Sequence, residues 1–105
     1  MGWWYLLLAG LCEIGWPLGF KLSQVTPYKY PWIGFAAAAM ILSGYFLWLA
    51  QKTIPIGTAY AVWTGIGATG AFLIGIIWFR DPLTFWRVFS AMLIVAGIVG
   101  LKLTT

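Results

Sequence analysis

Apolar residues fill this chain in four long stretches, and the polar residues between them come in short groups at 23–27, 51–55 and 80–82. Each stretch is near the ~20 residues that cross a ~30 Å hydrocarbon core, so the pattern reads as membrane-spanning helices rather than the two-faced helices of a soluble bundle. It predicts helices over about residues 3–22, 31–51, 56–79 and 84–103. Pro31 is placed in a first turn, where a missing N–H is harmless, and Pro55 blocks continuation beyond Gln51, Lys52 and Thr53. Arg80, Asp81 and Pro82 make a short charged turn before the last helix. Connections this brief make sequential helices antiparallel neighbours. The expected fold class is an all-α integral membrane protein, with residues 1–105 forming a single four-helix transmembrane domain.

Composition strengthens this reading. With 63% hydrophobic and 8% charged residues, the chain has too few charges to cover even a small soluble domain. Trp3, Trp4, Tyr5, Tyr28, Tyr30, Trp32, Trp78 and Trp86 fall near span ends, where amphipathic rings sit at the headgroup level. The net charge of +4 comes from Lys21, Lys29, Lys52, Arg80, Arg87 and Lys102, scattered at the ends of apolar segments as snorkelling anchors. They form no basic face with stacking aromatics, so nucleic acid is not an expected partner; the lipid bilayer is. Lys52 and Lys102 fall on the side of the termini and the other four basic residues on the opposite side. That bias is small enough to allow insertion in both orientations.

The chain has no histidine and one cysteine, Cys12, which reads as a helix-packing residue. No metal set and no cofactor is expected. The first apolar stretch lacks a basic leader and carries an acid, against a cleaved signal peptide, and no Ser or Thr stands at position 6 for myristoylation.

That acid, Glu13, is the main candidate for chemistry. An ionisable group at bilayer depth costs roughly 2.5–3.5 kcal/mol on insertion scales, and it ordinarily faces a bundle interior or wet cavity on a substrate or proton path. Ala9, Glu13, Trp16 and Phe20 share one helical face, and the Trp16 indole N–H can donate to the carboxylate one turn away. Pro17 removes a backbone bond from the same helix. In the third helix Tyr60, Trp63, Thr64 and Gly67 form a stripe, while Gly65 and Gly67 permit close helix approach or a bend. Ser43, in an otherwise apolar second helix, reaches either Glu13 or the carbonyl one turn back in its own helix. In the fourth helix Leu93, Ala96, Gly97 and Gly100 form a small-residue seam for pairing with another helix, hence a dimer interface.

No nucleophile–base pair, phosphate loop or second buried acid is present, so enzymatic catalysis is not expected. A carboxylate, aromatic faces and hydroxyls suit a small cation. Desolvation disfavours the charged form of a carboxylate, so proton and cation compete for it. Transporters commonly combine two inverted repeats, and this chain has no clear internal repeat; one copy is half a transporter, and two copies inserted in opposite senses would supply the symmetry.

The four-helix plan with Glu13 in the first helix, the run Gly57-Thr-Ala-Tyr-Ala-Val-Trp-Thr-Gly-Ile-Gly-Ala68 and the closing Gly97-Ile-Val-Gly-Leu-Lys102 resemble the small multidrug resistance family, over essentially the whole chain. Trp16 and the run from Trp63 to Gly67 are similar to its guanidinium exporter subtype. The resemblance implies an antiparallel, dual-topology homodimer in the inner (plasma) membrane that exchanges protons for guanidinium-type cations, with Glu13 holding either ion. It also implies that Trp16 and Ser43 orient Glu13, and that Tyr60 and Trp63 line the site and couple it to a helix-3 bend at Gly65 and Gly67. Cys12 and the run from Trp16 to Gly19 depart from the more aliphatic setting usual in this helix. Three other readings stay open: a broader exporter of quaternary ammonium or substituted cations, one subunit of a heterodimeric transporter, and a passive channel.

Overall fold

The structure, a computed structural model, describes residues 2–104. It contains four helices: α1 (Gly2–Val25), α2 (Lys29–Ala50), α3 (Ile56–Phe79) and α4 (Phe85–Thr104). All four are long and apolar enough to cross a membrane. The chain is a multi-pass membrane protein.

The helix ends have local causes. α1 continues past the expected end at Leu22 because the Thr26 backbone N–H and hydroxyl both donate to the Leu22 carbonyl, at 3.0 and 2.6 Å, and the Ser23 hydroxyl donates to the Phe20 carbonyl at 2.6 Å. These bonds satisfy carbonyls that a helix end otherwise leaves open. α2 begins two residues before Pro31, which therefore sits within the first turn. α3 ends at Arg80, whose φ of 57° and ψ of 36° are left-handed. The N–H groups of Arg80 and Asp81 both return to the Gly75 carbonyl, that of Asp81 at 3.0 Å, and close the helix.

α1 lies between α2 and α3, with extensive backbone contact to both, and the backbone of α4 approaches α3 alone. Glycines set the close approaches. A β-carbon on Gly19 would stand 2.9 Å from the Trp32 carbonyl oxygen of α2, and one on Gly10 would stand 2.5 Å from Ile66 of α3. In a membrane, where lipid tails are as apolar as leucine, such small-residue contacts drive helix association.

The molecule is a slab of 44 × 34 × 16 Å. Its thin dimension leaves little interior: the largest buried cluster, Leu6, Ala50, Ile54, Ala59 and Val62, gathers at one end. α4 has no buried residue.

Candidate cation-binding site

Glu13 stands midway along α1 and is half-buried against α3. Its Cγ lies where a β-carbon on Gly67 would be, 2.5 Å away, so the glycine makes room for the carboxylate stem. The Trp16 Nε1–H donates to Glu13 Oε1. This bond uses one lone pair of one oxygen and leaves Oε2 to face a ligand. Trp16 is itself held edge-on by Phe20, with ring centroids 5.7 Å apart. Pro17 has no N–H, so the Glu13 carbonyl four residues earlier lacks its ordinary helical donor.

A second hydrogen-bonded chain runs across the slab. The Trp63 Nε1–H of α3 donates to the Ser43 hydroxyl at 2.7 Å, and that hydroxyl donates to the Ala9 carbonyl of α1 at 2.7 Å. Ser43 is 1% exposed. Neither expected partner of Ser43 is the one observed: its single proton goes neither to Glu13 nor to its own helix. The reason is register, since α2 packs with Ser43 opposite Ala9, one turn before Glu13. Ser43 thus fixes the Trp63 ring and the height of α1, and bears on Glu13 through the backbone.

Glu13, Trp16, Tyr60 and Trp63 line one cavity of about 410 Å³, together with Met40, Gly44 and Thr64. The Tyr60 and Trp63 rings are 5.5 Å apart and tilted by 53°, forming one continuous aromatic wall. Glu13, Trp16 and Thr64 also border a neighbouring cavity of about 310 Å³ with Pro17, Gly67, Ala68 and Ala71. A carboxylate beside indole and phenol faces can hold a cation by charge, hydrogen bonding and ring quadrupole together. Sequence reasoning placed Thr64 on the stripe but missed Met40 and Gly44. Their spacing of four from one another in α2 was the available signal.

The two glycines of α3 have different neighbours. Gly67 faces Glu13, whereas a β-carbon on Gly65 would meet Ile98 of α4 at 2.7 Å. α3 is continuously helical through both. Close approach is what these glycines provide in this state. Leu93, Ala96, Gly97 and Gly100 are all exposed, and nothing in the chain lies within 4 Å of a β-carbon on either Gly97 or Gly100. Among the described residues no group of three or more possible metal ligands occurs.

Comparison with known proteins gives this geometry its relatives. The sequence model for the Small Multidrug Resistance protein family matches residues 1–94. The chain is 49% identical to the Guanidinium exporter of Citrobacter freundii over 105 residues, covering 100% of this chain and 99% of that one. It is 46% identical to the Guanidinium exporter of Salmonella typhimurium (strain LT2) over 104 residues, covering 99% and 98%. For the Guanidinium exporter of Escherichia coli (strain K12) the identity is 45% over 109 residues, covering 100% and 99%. The chain belongs to the small multidrug resistance family. Within this small multidrug resistance protein, the one acid in a membrane-spanning helix is the residue around which both cavities form.

Proposed function

We propose that this chain is a proton-coupled antiporter exporting guanidinium and small guanidinyl cations across the inner (plasma) membrane as an antiparallel, dual-topology homodimer. The observation that carries the reading is Glu13, bonded to Trp16 in a cavity walled by Tyr60 and Trp63, in a chain 45–49% identical to Guanidinium exporters over its full length. Guanidinium is planar, with N–H groups matched to a carboxylate fork, so the pairing orients as well as attracts it. A proton and a cation cannot occupy the same carboxylate oxygens together. Mutually exclusive occupancy, combined with inward-facing and outward-facing states, is sufficient for exchange.

The shape of the single chain supports the homodimer in this reading. A slab 16 Å thick surrounds no site by itself. A second copy inserted in the opposite sense would close the open side of the cavity and place two Glu13 carboxylates around one volume, with Leu93, Ala96, Gly97 and Gly100 as the pairing seam. Gly65 and Gly67 are then the positions at which α3 bends between the two states.

The test is proton movement in sealed liposomes containing the purified chain, started by an inward guanidinium gradient. Guanidinium-dependent proton efflux that disappears in Glu13→Gln is expected. Guanidinium flux without proton movement would identify a channel. Efflux driven by bulky quaternary ammonium ions as well as by guanidinium would identify a broader exporter, and folded wild type without activity would point to a missing partner subunit.

A further inference from the structure

Five of the six basic residues are exposed, as anchors at span ends should be; Arg87 is the exception. Its guanidinium lies over the Phe72 ring, with Cζ 5.1 Å from the centroid. Its Nε is buried, as is the hydroxyl oxygen of Thr69, and neither has a hydrogen-bond partner among the described residues. Both residues line the same cavity of about 410 Å³ between α3 and α4, with Phe72, Trp86, Ser90 and Ile94. The Ser90 hydroxyl gives its one proton to the Trp86 carbonyl at 2.8 Å. The Trp86 indole belongs to a residue that is 70% exposed, so the buried donors left to the cavity are those of Arg87 and Thr69.

A guanidinium stays charged at any ordinary pH, and a buried donor without a partner costs about 1–3 kcal/mol. This cleft accordingly calls for an anion, and it repels the cations that suit Glu13. The chain has only two acids of its own. Glu13 lies at the α1–α3 contact, and Asp81 lines a different cavity with Lys21 and Gly75. A second copy would bring the same two acids, and the seam of Leu93, Ala96, Gly97 and Gly100 lies around α4 from Arg87, meeting its face along the edge where Ser90 and Gly97 are two turns apart.

The surroundings identify the anion's source. Exposed Phe85 and Trp86 flank the cleft at the start of α4 and mark the headgroup level, while Phe72 and Ile94 extend an apolar wall below it. Phe72 is seven residues from the end of a 24-residue helix, about 10 Å along its axis, so Arg87 reaches slightly beneath the hydrocarbon boundary. A headgroup phosphate drawn down to a basic pocket between helices satisfies that depth while its acyl chains follow the wall. We propose that the α3–α4 cleft binds the phosphate of an anionic phospholipid, held by the Arg87 guanidinium and the Thr69 hydroxyl. This inference is independent of the transported substrate.

Native mass spectrometry of the full chain, presented with equal amounts of dioleoyl phosphatidylglycerol and dioleoyl phosphatidylcholine, tests it. The wild type should retain the anionic lipid preferentially. Arg87→Gln should reduce that preference about fivefold, the factor one basic residue supplies at an anionic lipid surface, whereas Arg80→Gln, with the same change in net charge, should leave it intact. Thr69→Val, which keeps every charge, should lower it by a smaller factor and covers the case in which Arg87→Gln does not fold. Equal retention of the two lipids by the wild type, or equal losses in Arg80→Gln and Arg87→Gln, would overturn the proposal. So would loss of the preference on adding millimolar inorganic phosphate, which would make the occupant a free ion. A lower dimer fraction in Arg87→Gln with unchanged lipid preference would assign the guanidinium to a contact between copies instead.

Discussion

Gly67 lies so close to Glu13 that a methyl group on it would stand 2.5 Å from Glu13 Cγ. The position of the Glu13 carboxylate is therefore set by an absent side chain on the neighbouring helix. Gly67→Ala must displace either the Glu13 rotamer or the α1–α3 contact, an overpacking that typically costs about 1–3 kcal/mol. Guanidinium affinity, measured by isothermal titration on purified protein, should fall by about tenfold. Gly57→Ala, where no atom lies within 4 Å of the added carbon, should leave it unchanged.

Ser43 serves two partners with one hydroxyl, donating to Ala9 and accepting from Trp63. Ser43→Ala leaves the Trp63 N–H without its acceptor and frees the ring that walls the cavity. A loss of about 1–3 kcal/mol is expected, read as a lower midpoint of thermal unfolding in detergent, together with weaker cation binding. Trp63→Phe removes the donor but leaves Ser43 bonded to Ala9, so it should lower binding while sparing more of the stability. If Trp63→Phe is the less stable of the two, the Ser43–Ala9 bond is not what ties α2 to α1.

Much of this architecture is legible in the residues. Four spans separated by short polar groups leave no alternative to a helical membrane protein, and Glu13 identifies itself as the one acid within a span. Trp16 follows from helical spacing alone. The partners of Ser43 do not, because α2 is apolar on all sides and its sequence cannot say which side meets α1. Met40 and Gly44 share a face by their spacing, but which neighbour that face meets is hidden for the same reason. The partial burial of Arg87 is hidden for another: five similar residues at span ends are ordinary anchors, and only packing of α4 on α3 distinguishes the sixth.

In the proposed antiport, proton and cation compete for one carboxylate, so guanidinium binding should weaken as pH falls. Where displacement of a single proton limits binding, each unit of falling pH should raise the apparent guanidinium dissociation constant about tenfold. Titrations across pH 5 to pH 9 check this, and Glu13→Gln should bind weakly at every pH. A slope that survives in Glu13→Gln would move the proton to another group.

The glycines divide into two populations whose variants should fail differently. Gly19 is enclosed within the chain, where a β-carbon would stand 2.9 Å from a backbone oxygen that cannot yield, and Gly97 faces open space. Gly19→Ala should destabilise the single chain, seen as loss of helical signal at lower temperature. Gly97→Leu should preserve the helical signal, because leucine is a better helix former than glycine by roughly 0.8 kcal/mol, and should reduce the dimer fraction in light scattering. A fully dimeric Gly97→Leu would place the contact between copies on another face of α4.

Pro17 offers the most local test, because it acts through one backbone atom. Proline in a helix interior costs ~3 kcal/mol, and here its missing N–H leaves the Glu13 carbonyl without a helical donor beside the carboxylate. Pro17→Ala restores that donor, so thermal stability should rise. If the freed carbonyl accepts a guanidinium N–H, the same variant should also lose about fivefold in guanidinium affinity, the equivalent of one hydrogen bond of ~1 kcal/mol. A quaternary ammonium ion has no N–H to offer that oxygen, so its affinity should stay constant. Parallel losses for both cations would mean that Pro17 shapes the cavity, and a stabilised variant with unchanged guanidinium affinity would remove the carbonyl from the site.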